Sequence, residues 1–318
     1  MPRSPLPWLV VFALLAAGFG ATVLALNNDV YSAHGFVRSY LQALERKDAD
    51  EALAFAGVVV PESEAATLLV DGALGGIGDI RLLSDVEDGA EHIVRFAYTL
   101  DNDEEITEFR VRHTGTRFGL FSTWAFAESP LARIEVSVAG DSRFTANGVD
   151  AAAGSPLLVL APGAYVVDRD TDLLTTAAVT VAATSIGDTE VAGIFAMPTD
   201  TFTAEAEEAV AAFLDECATQ QVLKPTGCPF GYTEANRVEG APRWTVESYP
   251  TVALAPADTT ATWRATGSGG VVGLELTVKS LFDGSTRRVS TDQDVGGSYL
   301  LAIGTGDTVT VLEATALP

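Results

Sequence analysis

Residues 8–26 read "WLVVFALLAAGFGATVLAL", an unbroken stretch without a charge. About 20 apolar residues cross the hydrocarbon core of a bilayer. A helix that is apolar all round must lie in a membrane or deep in a core, because it has no face to turn to water. Its position near the amino terminus favours the membrane. Arg3 precedes the run, and Asn27, Asn28 and Asp29 follow it. The positive side, and with it the N-terminus, is therefore expected in the cytoplasm. A cleaved signal peptide would need small residues at −3 and −1 just after the run. Ala25-Leu26-Asn27 does not supply them, and a cut after Gly20 would fall inside the run. The expected plan is a cytoplasmic tail at 1–7, a single-pass anchor in the cell membrane at 8–26, and the bulk of the chain outside.

Charge narrows the partners. The 318 residues carry 43 acidic and 19 basic side chains, a net charge of −24. Nucleic acid needs clustered Lys and Arg, so no nucleic-acid partner is expected. The same excess argues against the soluble part lying flat on anionic lipid.

An exported chain meets an oxidising compartment, where disulfides persist. The chain has two cysteines, Cys217 and Cys228. Cys217 closes the apolar face of "TAEAEEAVAAFLDECATQ", where Ala209, Val210, Phe213, Leu214 and Cys217 share helical spacing. Cys228 follows the turn-forming "LKPTG". The expected bridge ties this loop to the helix end. The spacing is not that of a C-x-x-C redox pair, and the three histidines lie far upstream of any zinc site the cysteines could join.

The exported part reads as α+β in three segments. Residues 30–128 open with helices: "FVRSYLQALER" places Phe36, Tyr40, Leu41 and Leu44 on one stripe. "DADEALAFA" restarts a helix, with Asp48 and Glu51 spaced as a capping box. Pro61 suits the first turn of a third helix, "PESEAATLLVDGAL". The period then changes to two, with Val94, Phe96, Tyr98 and Leu100 on one face, and a meander of about four strands follows. Trp124 is expected in its core, like Trp244 and Trp263 further on. Residues 129–199 hold only short strands between turns, among them Asn147-Gly148, and read as a small all-β module. Residues 200–318 again place a helix, at about 203–220, before antiparallel strands.

The stretch "HGFVRSYLQALERKDADEALAFAG" resembles the opening helices of nuclear-transport-factor-2-like cone domains. It is most similar to the extracytoplasmic versions that follow a single membrane helix in Gram-positive bacteria. "FTANGVDAAAGSPLLVLAPGAYVVD" resembles the small β-modules of bacterial surface proteins. The layout is distantly similar to membrane proteins of the teicoplanin-resistance-associated type. The resemblance implies a cone-like domain at 30–128 and transfers no catalytic residue.

The chemical motifs are thin. "DRDTD" at 168–172 starts like a calcium loop, but Leu173 and Val179 stand where Gly and Glu are required, so a solvated turn is the better reading. "DNDEE" at 101–105 reads as a polar hairpin tip. "GGIG" at 75–78 is a helix stop. His34 falls on the first exported helix, and His92 and His113 at strand ends, where single histidines are more often structural than basic catalysts. No catalytic, cofactor-binding or metal-ligating residue is singled out, and Cys217 and Cys228 are the only site residues named. The function expected is a non-enzymatic, membrane-anchored cell-envelope protein of interaction or ligand-binding modules. Envelope proteins or cell-wall components are its expected partners. The alternative is an extracytoplasmic enzyme with a carboxylate/Tyr pair in a cone pocket, as in ketosteroid-isomerase-like proteins.

Overall fold

The computed structural model describes residues 6–58, 64–304 and 306–316. The chain is α+β and begins with an apolar helix, α1 (Leu6–Asn28). Within it, Val11–Asn28 is long and apolar enough to cross a membrane, a test that an anchor and a signal sequence both pass. Two compact units follow from the packing. Unit 1 takes residues 1–136, 145–167 and 179–192, and unit 2 takes 137–144, 168–178 and 193–318.

In unit 1, α2 (Ala33–Glu45) starts at Ser32, whose hydroxyl accepts from the Gly35 amide at 2.9 Å. This satisfies one of the orphan donors of the first turn. Position 35 admits only glycine: a Cβ there would lie 2.1 Å from the Asp29 carbonyl oxygen. The buried stripe of α2 includes Val37, Tyr40, Leu41 and Leu44. Helix α3 (Ala49–Ala56) is capped by Asp48, which accepts from the Glu51 amide at 2.9 Å. The reciprocal half of the capping box is not made, because the Glu51 carboxylate pairs with Arg46 instead.

Among the described residues, the third helix expected after Pro61 is not formed. Pro61 itself lies outside the described residues, and two short 3-10 turns, Glu64–Ala66 and Asp71–Ala73, occupy the rest. Tertiary demands explain part of this. Asp71 turns its carboxylate to the Ala49 amide at 2.8 Å, capping α3 from a distance in sequence.

Strands β1 (Ile77–Asp88), β2 (Glu91–Leu100), β3 (Asp103–Arg117) and β4 (Phe121–Phe126) form an antiparallel meander in that order. Val94, Phe96, Phe109, Val111 and Phe126 face α2 and α3 in one core cluster. Burying each such side chain contributes roughly 1.5–3 kcal/mol.

The next eight strands are β5 (Leu131–Ala139), β6 (Arg143–Ala146), β7 (Val149–Ala152), β8 (Leu157–Leu160), β9 (Gly163–Asp168), β10 (Leu174–Thr176), β11 (Val179–Ala183) and β12 (Thr189–Pro198). They are divided between the two units. Unit 1 contains the antiparallel pairs β5–β8 and β9–β11, and unit 2 contains β10–β12.

Unit 2 adds α4 (Asp200–Ala218), then β13 (Arg237–Ser248), β14 (Thr251–Pro256), β15 (Thr262–Ser268), β16 (Val271–Lys279), β17 (Thr286–Asp294), β18 (Gly297–Ile303) and β19 (Val309–Ala316). They make two antiparallel sheets, β13-β16-β17 and β14-β15-β18-β19. Helix α4 is capped by Thr199 and buries Phe202, Ala206, Val210, Leu214 and Cys217. Trp263 on β15 is fully buried and meets Phe202 edge-on at 5.1 Å. Its indole donates to the Gly140 carbonyl at 2.8 Å. Gly140 has φ +97°, and a Cβ there would lie 2.5 Å from the Trp263 ring, so conformation and space both demand glycine.

Candidate functional site

The three histidines of the chain converge in unit 1. His34 comes from the first turn of α2, His92 from β2 and His113 from β3. His34 Nδ1 lies 2.9 Å from one Asp85 carboxylate oxygen, and His92 Nδ1 lies 2.8 Å from the other. Trp124 on β4 meets His92 edge-on at 4.9 Å and His113 at 5.3 Å. The indole donates to the Tyr31 carbonyl at 2.9 Å. Trp124 is thus only half-buried at one end of the sheet, and not in the deep core where its strand pattern placed it.

Register explains the convergence. Asp85 stands opposite Val94, and His113 stands directly opposite Trp124. Neighbouring strands keep opposed residues on one face, and positions two apart share that face. His92 therefore shares the inward face of Val94 and Phe96. Asp85 reaches the same face because β1 is irregular between Leu82 and Ser84, which shifts the alternation by one residue.

A carboxylate only accepts hydrogen bonds, so each imidazole donates its Nδ1 proton to Asp85. Burial pushes the Asp85 pKa up, but the hydrogen bonds and charges of His92 and His34 outweigh it and hold the carboxyl below its ordinary value. One carboxylate thus bridges two imidazoles from different elements. The three side chains are 18–28% exposed, so the cluster sits at the partly open rim of the sheet. Among the described residues, no group of three or more His, Cys, Asp or Glu is arranged to hold a metal ion.

The centre of unit 1 is filled. Tyr40, Phe96, Tyr98 and Phe109 are buried in it. The Tyr40 hydroxyl donates to the Ala161 carbonyl at 2.7 Å, with the Pro130 carbonyl at 3.2 Å. Burial raises its pKa strongly. The Tyr98 hydroxyl bonds Thr107 Oγ1 at 2.5 Å, and burial pushes its pKa up to about 12. Both phenols are spent on structural bonds. A polar cleft of about 560 Å³ opens beside α2, lined by Arg38, Gln42, Asp79, Arg81 and Glu104 among others. Arg81 and Glu104 close on each other at 2.6 Å.

The remaining motifs resolve into turns. Asp170 accepts from Thr175 Oγ1 at 3.0 Å and from the Thr176 amide at 2.9 Å, within its own loop. Asp101 and Asn102 form a hairpin tip, with φ +47° and +73°. In unit 2, Cys217 and Cys228 are bridged with Cα atoms 5.8 Å apart. The loop they close is also held by Trp244, whose indole donates to the Val222 carbonyl at 2.8 Å.

Sequence reasoning named all three histidines and missed their assembly. The parity of His92 with Val94 was the one available signal. No family profile, no curated protein and no solved structure matches this chain.

Proposed function

We propose that the chain is a membrane-anchored cell-envelope protein that works outside the cytoplasm through binding rather than catalysis. In this reading α1 stays on the mature protein as the anchor, and unit 1 is a cone-like domain whose interior serves as core. The observation that supports it best is how the end of α1 is joined to unit 1. The Asn27 amide donates to the Leu120 carbonyl at 2.7 Å, and its side-chain oxygen accepts from the Ser122 amide at 3.0 Å. Tyr31 stacks on Phe121 at 4.5 Å. A cut after residue 27 would leave the Leu120 and Ser122 groups without their partner, and a cut earlier in α1 would remove the helix whose last turn sets Asn27 against them. The test is the mature N-terminus and its partition. Membrane pellets washed with alkaline carbonate should retain the protein, and peptides from 8–26 should be found in it by mass spectrometry. A soluble protein starting between residues 19 and 30 would refute the reading.

A second reading, an extracytoplasmic enzyme, draws on the His34–Asp85–His92 cluster. Turnover in a panel of ester, glycoside and ketosteroid substrates that is lost in His92→Ala would favour it.

A further inference from the structure

Among the described residues of unit 1, three hairpin tips carry two consecutive residues at positive φ: Asp101-Asn102 and Asn147-Gly148 in two-residue loops, and Phe118-Gly119 in a three-residue loop completed by Leu120, whose amide donates to the Arg117 carbonyl at 3.2 Å. Such turns call for Asn, Asp or Gly, which tolerate the left-handed region. Two tips comply. The third places phenylalanine at φ +56° with 80% of its surface exposed. A bulky residue there is disfavoured by its backbone and by water alike. Leu120, one residue further on, is 41% exposed.

Charge around this tip is also unlike the rest of the chain. Residues 109–127 contain Arg110, Arg112, His113 and Arg117 and no carboxylate, in a protein of net charge −24; Arg110 pairs with Asp88, Glu91 and Glu108, and Arg112 stands opposite Glu91 on β2, which leaves Arg117 at the tip farthest from these carboxylates. Arg112, His113 and Arg117 are exposed, and the Arg117 guanidinium lies 5.4 Å from the centre of the Phe118 ring.

Asn27, in the last turn of α1, is bonded to Leu120 and Ser122, while Tyr31 meets Phe121 and Trp124. As the chain runs from 27 to 31, its partners move from 120 to 124. Extended backwards, the same progression sets the Phe118 tip beside the final turns of the apolar helix. There Gly20, Val23, Leu26 and Asn27 are partly covered, whereas residues 11–19 are all exposed.

We propose that the β3–β4 tip is a second membrane contact: Phe118 and Leu120 enter the headgroup layer beside α1, and Arg112 and Arg117 hold anionic phospholipid headgroups. Aromatic rings favour this interface, and basic side chains add attraction to anionic lipid. The inference rests on the anchor reading, because α1 must remain in the bilayer to present the tip.

The experiment uses the full chain reconstituted in phosphatidylcholine vesicles, with and without phosphatidylglycerol. An environment-sensitive fluorophore is placed at Phe118→Cys and, as a control at the opposite end of the meander, at Asn102→Cys. The label at 118 should shift to the blue and be quenched by headgroup spin-labelled lipid, more so with phosphatidylglycerol. The label at 102 should do neither. Arg112→Ala with Arg117→Ala should abolish the dependence on anionic lipid and leave vesicle flotation unchanged. An aqueous signal at 118 in protein that floats with vesicles would overturn the inference while sparing the anchor. A blue shift in native membranes but not in vesicles would overturn it in favour of a protein partner. Failure to float would remove both readings.

Discussion

Units 1 and 2 both pack helices on antiparallel strands, yet they secure their edges by different means. Unit 2 fixes the end of α4 covalently, through Cys217–Cys228, and sets Trp263 into a space shaped by Gly140. Its deepest charged contact, Arg169 Nε to Asp141 at 2.6 Å, is almost closed to solvent. Unit 1 has no cysteine and closes one end of its sheet with His34, Asp85 and His92, all partly open to water. The contrast separates a unit whose helix end is fixed by a covalent bond from one whose sheet end is held by hydrogen bonds to a single carboxylate.

The largest blow to this contrast comes from removing the Trp263 ring. Trp263→Ala should cost about 3–5 kcal/mol through the cavity it leaves. Denaturant unfolding followed by hydrogen-exchange mass spectrometry should place the loss in unit 2 peptides. An equal loss of protection across 30–128 would show that the units do not respond separately. Next in size, Cys217→Ser should destabilise unit 2 by roughly 2–3 kcal/mol, the entropy of a short closed loop. Peptides from 30–128 should exchange as before, because distant sites are nearly independent.

Asp85→Asn is expected to cost unit 1 about 1–2 kcal/mol, since one amide cannot accept from two imidazole donors as a carboxylate does. Unit 2 should be untouched, and calorimetry of the full chain would show which transition moves. The smallest effect is the pH response of that same group. The folded pKa of Asp85 is depressed, so its stabilisation is fully present above the unfolded value of about 3.9. It fades as pH falls through the lower folded value. Between about pH 5 and 2 the unit 1 transition should therefore drop more steeply in the native protein than in Asp85→Asn. Parallel slopes would remove Asp85 from the account.

These comparisons also show which features local sequence carries. The stripes of α2 and α4, the capping of α3 by Asp48 and the alternation of β2 each depend on neighbours within a few residues, and all were readable. Cys217 and Cys228, eleven positions apart, were readable for the same reason. The segment after Pro61 was not, because Asp71 serves the N-terminus of α3 and does not support a helix of its own. The histidine cluster was hidden by one irregularity. An unbroken alternation through β1 turns Asp85 away from Leu82, and nothing in "RLLSDVED" marks the shift at residue 83. Pairing between His34 and Asp85, 51 positions apart, depends on how α2 crosses the sheet, which periodicity does not report.

The junction between α1 and α2 has a mechanical consequence. Residues 29–32 make a tight turn, Ser32 donates to the Asp29 carbonyl at 2.6 Å, and Asn27 grips β4 with both ends of its amide. A domain on a loose tether of n residues samples a cloud whose radius grows as the square root of n. Here the slack is close to nil, and the cloud shrinks to a bearing. Anything that turns α1 about its axis turns the meander with it. A partner fixed in the same frame would meet one constant aspect of unit 1, at a local concentration set by orientation and not by reach.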